Sequence, residues 1–184
     1  MEIIAQVIGI LGMAINVLSF QQKKQRHLIV MQLFGALLFA IHYLLLGLAE
    51  GRILIGSIVN GIGVARAYVF SNKEKFGAYN TFWVWLFSGL FVVSYILAFT
   101  VFGMEKTAAN FIIEFLPIIG MVAATIGFGM KSAKNVRATA LINSPSWLIY
   151  NIIRRSIGGT LCEVFTLASV VIGIVRLDAC KKES

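Results

Sequence analysis

Charge is scarce in this 184-residue chain. Asp, Glu, Lys and Arg make up 13% of it, about half of the ~25% usual in soluble domains. A soluble surface needs more than that, so a large water-soluble core is not expected. Cysteine is scarce too. Cys162 and Cys180 are the only two, and no CxxC is present, so neither a disulfide framework nor a zinc site is indicated. There are two histidines, and no HExxH, GxSxG or P-loop. No nucleophile–base pair is visible, and an enzyme is not expected. Gly158 and Gly159 suit a tight turn and do not make a nucleotide fingerprint. No Pro/Ser-rich linker or low-complexity segment divides the chain, so residues 1–184 read as one domain. The start, MEIIAQVIG, has Glu2 and no basic segment. A cleaved signal peptide is therefore not expected, and the first apolar run stays as a helix.

What the chain does have is apolar surface. It is 59% hydrophobic, with a mean hydropathy of +0.87. A helix crossing a bilayer needs ~20 mostly apolar residues. Seven such segments are predicted, at about 3–21, 28–48, 53–70, 82–102, 111–130, 138–153 and 161–177. The fold class is thus all-α, a polytopic membrane protein with seven transmembrane helices. The net charge of +8 does not point to nucleic acid, because the basic residues lie between the apolar runs. With seven spans, 12 of the 16 Lys and Arg fall on one side, including Lys23, Lys24 and Arg26 of SFQQKKQRH. Arg52, Lys106, Arg154 and Arg155 fall on the other. Lys and Arg are retained in the cytoplasm, which predicts an N-terminus outside and a C-terminus inside. Cys162 and Cys180 then lie at opposite ends of one helix, too far apart to bridge. Arg66 and Arg176 are expected to snorkel toward the cytoplasm from helix ends.

The chain repeats itself at an offset of 108. Ile10 falls on Ile118, Gly12 on Gly120, Met13 on Met121, Phe20 on Phe128, Lys23 on Lys131 and Gly51 on Gly159. After a two-residue slip, Arg66 falls on Arg176. In the first helix Gly9, Gly12, Asn16, Ser19 and Lys23 share one face. Small residues there allow close helix packing, which accounts for the glycines better than for Asn16. The architecture expected is two parallel three-helix repeats, 3–70 and 111–177, joined by a linker helix at 82–102.

This repeat resembles the unit of the SWEET and PQ-loop transporters. SFQQKK keeps that unit's Gln and basic residues and lacks its Pro, and IHYLLLG (41–47) matches the aromatic-before-Gly end of its second helix. The resemblance implies that Asn60 faces a substrate. A closer likeness covers nearly the whole chain. EFLPIIG (114–120), SIGGTLCE (156–163), IVRL (174–177) and HYLLLG are similar to the YgjV family of bacterial inner-membrane proteins. That likeness implies a bacterial inner-membrane location and supplies no activity.

Polar groups at membrane depth are costly and usually face the bundle interior. His42 either bonds between helices or lines a solute path, and Tyr43 beside it reads as an interface anchor. Asn143, Trp147, Asn151 and Arg155, spaced by four, form one stripe. Pro145 in the same helix frees the Leu141 carbonyl. The stripe suits either a polar-solute site or hydrogen bonds between helices. Glu163 opens the last helix, where a carboxylate is favourable. It could also pair with Arg154 or Arg155, or take a proton. Glu114 is similar and nearer the outer surface.

The function expected is a SWEET-like transporter or facilitator for a small polar solute. Asn16, His42, Asn60, Trp147 and Asn151 would form the solute site, and Glu163 a proton or ion-pair site. Amides and aromatics suit a neutral polar solute. The alternative is a non-transporting sensor or assembly subunit, and a continuous polar cavity discriminates the two. No metal or other cofactor is expected. The partners expected are the bilayer and the solute, with a homo-oligomer left open and no nucleic acid.

Overall fold

A computed structural model of the chain describes residues 2–49, 55–153 and 157–179. Arg52, Arg154, Arg155 and Cys180 lie outside these residues. The described chain is helical, without strands. Its elements are α1 (Glu2–Ser19), α2 (Gln25–Ala49), α3 (Ile55–Ser71), the single turn α4 (Lys73–Phe76), α5 (Phe82–Thr100), α6 (Ala108–Gly129), α7 (Ala133–Ile153) and α8 (Ile157–Gly173). A π-helical segment, Ile174–Ala179, continues α8. In hydrocarbon every backbone N–H and C=O must be satisfied within the segment, which is why long apolar runs become helices.

Four helical stretches are long and apolar enough to cross a membrane: Gln25–Ala49, Phe82–Thr100, Ala108–Gly129 and Gly158–Asp178. The surface is inverted relative to a soluble protein. Ile3, Trp85 and Ile112 are 81%, 75% and 69% exposed, while Arg66, Asn151, Ser144 and Thr125 are buried.

Within the described residues each predicted segment is helical, with shifted ends. The sixth starts at Ala133 rather than 138, because Ser132 caps it by accepting from the Asn135 N–H at 3.3 Å. The turn α4 was not expected. It stops at Gly77, whose φ of +58° favours glycine. Lys73 in α4 donates to the Met130 carbonyl at 2.6 Å. Burial lowers its pKa from the usual lysine value.

α1, α2 and α3 pack in sequence, as do α6, α7 and α8. The two sets meet through α1 on α8, α3 on α6 and α2 on α7, while α5 packs on α3 and α6. Contacts give the directions. Gly12 faces Gly35 and Leu38, and Gly9 faces His42, so α1 and α2 are antiparallel. Asn16 bonds Thr166 and Gln21 bonds Ser169, so α1 and α8 are parallel. Arg66 reaches Met121 while Phe70 meets Phe128, so α3 and α6 are parallel as well.

The end of the bundle that carries the α1–α2 turn is tied by Arg137. Its Nε donates to Asp178 Oδ2 at 2.8 Å and its Nη1 to the carbonyl of Gln22 at 3.0 Å. One side chain thus links α7, the α1–α2 turn and the π-helical segment.

Candidate functional site: a central polar cavity

Helical periodicity decides which side chains meet in the middle. On α2, Gln32, Ala36, Phe39 and Tyr43 recur at intervals of three and four and so share a face. On α7, Asn143, Trp147 and Asn151 recur every four residues. These two faces, where α2 touches α7, line a cavity of about 80 Å³. α1 contributes Asn16, α3 contributes Asn60 and Arg66, and α8 contributes Gly159, Cys162 and Glu163. With Met121 and Ala124 of α6, six helices converge on one polar space. Ligand sites usually occupy ~300–1,000 Å³, so the cavity is narrow in this state and has room for a few water molecules.

Of the site residues predicted from sequence, Asn16, Asn60, Trp147, Asn151 and Glu163 line this cavity. His42 does not. It precedes Tyr43 by one residue and is therefore turned ~100° around α2. Its ring faces α1, with Nδ1 2.7 Å from the Ala5 carbonyl. A carbonyl only accepts, so Nδ1 carries the proton. His42 instead lines a small, mostly apolar cavity with Gln6, Gly9 and Leu161. Pro145 is likewise turned away from the Asn143 face of α7 and does not line the central cavity.

Three further residues at this site escaped the sequence reading. Tyr43 is no interface anchor. Its buried ring stacks on Trp147, with centroids 6.4 Å apart and planes at 25°, and its hydroxyl lies 3.4 Å from Asn151 Oδ1. Cys162 is a buried free thiol in the wall. Arg66 does not snorkel. It is 5% exposed, and its Nη1 donates to the Met121 carbonyl at 3.0 Å and to Thr125 Oγ1 at 3.1 Å. Its guanidinium lies 4.6 Å from the Phe128 ring centroid. The available signal was spacing: Asn60, Gly63 and Arg66 are three apart, so Arg66 shares a face with an amide and a small packing residue. Glu114, expected near the outer surface, is also buried.

Several polar atoms here have settled partners. Asn16 Nδ2 donates to Thr166 Oγ1 at 3.3 Å, and Asn60 Nδ2 to its own helix at the Gly56 carbonyl, 2.8 Å. Others have none among the described residues: Arg66 Nε, Asn143 Oδ1 and Glu163 Oε2 are buried without a hydrogen-bond partner. Among the described residues, no group of three His, Cys, Asp or Glu is placed to hold a metal ion. The wall thus has amides, aromatic faces, a thiol, and the side chains of Arg66 and Glu163.

Comparison with known proteins identifies a family and no activity. No curated protein and no solved structure is significantly similar to the chain. A family model described as Imp-YgjV, bacterial inner membrane protein, matches residues 3–181. The chain therefore belongs to the YgjV family of bacterial inner-membrane proteins.

Proposed function

We propose that this protein is a SWEET-like transporter or facilitator for a small polar solute, with no catalytic role. The observation that carries the reading is the central cavity, whose polar lining comes from both halves of the chain: Asn16 and Asn60 from the first, Trp147 and Asn151 from the second.

The reading includes seven membrane spans, formed by α1–α3 and α5–α8, with the N-terminus periplasmic and the C-terminus cytoplasmic. It also takes α1–α3 and α6–α8 as parallel repeats. Packing at the 108-residue offset supports this. A Cβ placed on Gly12 would meet Phe39 at 3.4 Å, and one on Gly120 would meet Trp147 at 3.2 Å. Exchanging the two sets of helices also turns the α1–α8 contact into the α6–α3 contact. Rocking of the repeats about the cavity would widen it on one side at a time. In this scheme Glu163 is a proton or ion-pair site.

A second reading, a non-transporting sensor or assembly subunit, is favoured by Asn16 and Asn60, whose amides already bond inside the bundle. Proteoliposomes loaded with mixed solutes decide between the two. Saturable counterflow of a polar solute, lost in Trp147→Ala protein that still folds, supports transport. Absence of flux for every solute class rejects it.

A further inference from the structure

We propose that the central cavity takes a small zwitterion, with its carboxylate end at Arg66 and its ammonium end at Glu163. This rests on the transporter reading and narrows its solute class.

The argument begins with what Arg66 lacks. Guanidinium groups are always charged and carry five donors. In an apolar interior they are normally paired with a carboxylate. Arg66 is buried, yet its hydrogen-bond acceptors are neutral: the Met121 carbonyl and the Thr125 hydroxyl. Phe128 and Phe91 supply ring faces at 4.6 and 5.6 Å. Among the described residues no carboxylate forms an ion pair with it, and its Nε has no partner. A charge held this way at membrane depth marks a functional site.

The opposite set lies in the same cavity on the other half of the chain. Glu163 Oε2 and Asn143 Oδ1 are both buried acceptors without a partner, and both residues line the cavity with Arg66. An ammonium group has three donors and no acceptor, which complements two free acceptors, one of them a carboxylate. A carboxylate has only acceptors and complements the free Arg66 N–H.

Other solute classes leave part of this unpaired. A simple anion would meet Arg66 but bring no donor to Glu163 Oε2 and Asn143 Oδ1. A simple cation would leave Arg66 uncompensated. An uncharged polyol would leave Arg66 without a counter-charge. A zwitterion pairs each end and brings no net charge into the membrane interior. The volume of about 80 Å³ restricts it to a few heavy atoms. Arg66 and Glu163 come from α3 and α8, so such a solute would bridge the two proposed repeats.

The test uses the full chain in lipid nanodiscs, with binding read by calorimetry and by thermal shift. Glycine, β-alanine and γ-aminobutyrate supply increasing charge separation. Propionate, propylammonium and glycerol are size-matched controls. The expected result is saturable binding of at least one zwitterion and none of the controls. Glu163→Gln and Arg66→Lys, which preserve size or charge, are each expected to weaken that binding roughly tenfold or more, while the unliganded protein keeps its melting transition. Glycerol binding without zwitterion binding would overturn the solute class and leave transport standing. Zwitterion binding unchanged in both variants would overturn the charge assignment. If no solute of any class binds or is moved, both this inference and the transporter reading fail.

Discussion

Gly159 of α8 lies so close to Asn151 of α7 that a Cβ there would come within 2.5 Å of the amide. Both residues line the central cavity. Gly159→Ala must therefore move a buried side chain that forms part of the proposed site. A cost of about 1–3 kcal/mol is expected, as for other overpacked interiors, together with loss of solute binding. Gly89→Ala is the control: nothing lies within 4 Å of that position, and it should leave stability the same or slightly higher. Thermal unfolding of both variants in one detergent checks the contrast. Equal melting temperatures would show that α8 can retreat from Asn151 at no cost.

Removing the partner of Arg137 should be expensive. The Arg137 and Asp178 side chains are 2% and 7% exposed. Asp178→Ala leaves a buried guanidinium with only the Phe20 and Gln22 carbonyls, and a loss on the order of 3–5 kcal/mol is expected. The double variant Arg137→Met, Asp178→Leu should recover part of it, since it removes the stranded charge but leaves those two carbonyls without their donor. Chemical denaturation of the single and double variants measures the difference.

Asn60→Ala and Asn151→Ala should separate function from stability. Among the described residues the Asn60 amide donates to its own helix at Gly56, and Asn151 accepts a long bond from Tyr43 at 3.4 Å. Each change is expected to cost no more than about 1 kcal/mol, within the range for polar contacts between membrane helices. Solute flux in proteoliposomes should fall in both. Large stability losses with unchanged flux would instead favour the packing role.

Orientation is tested by labelling. Lys23 and Lys106 are both exposed and lie at opposite ends of the bundle. With Cys180 replaced by serine and Cys162 buried, a membrane-impermeant maleimide applied to intact cells should label Lys106→Cys and spare Lys23→Cys. The reverse pattern means the opposite topology.

The helical segments were legible because lipid leaves a long apolar run one way to satisfy its backbone, and hydropathy records such runs directly. The segment ends were less legible. α7 starts where the Ser132 hydroxyl captures the Asn135 N–H, a local bond that hydropathy does not register. The Asn143–Trp147–Asn151 stripe was legible because a spacing of four is a single helix face. Asn60 came from likeness to a known unit, and the cavity wall includes it.

Arg66 and His42 mark where the sequence stopped being informative. An arginine in the last turns of an apolar helix reads as snorkelling, since a long side chain usually reaches water. Only the packing of α3 against α6 closed that route and offered Met121, Thr125 and Phe128 instead. His42 reads as a solute-path or interhelical residue and Tyr43 as an interface anchor, yet one residue of helix rotation sends His42 to Ala5 and Tyr43 to Trp147. Composition and periodicity by themselves determined that this is a helical membrane protein, where its helices run and which residues share a face. Which faces meet, and so which polar atoms are left without partners in one cavity, was decided by tertiary structure, because rotation about a helix axis depends on the neighbours it packs against.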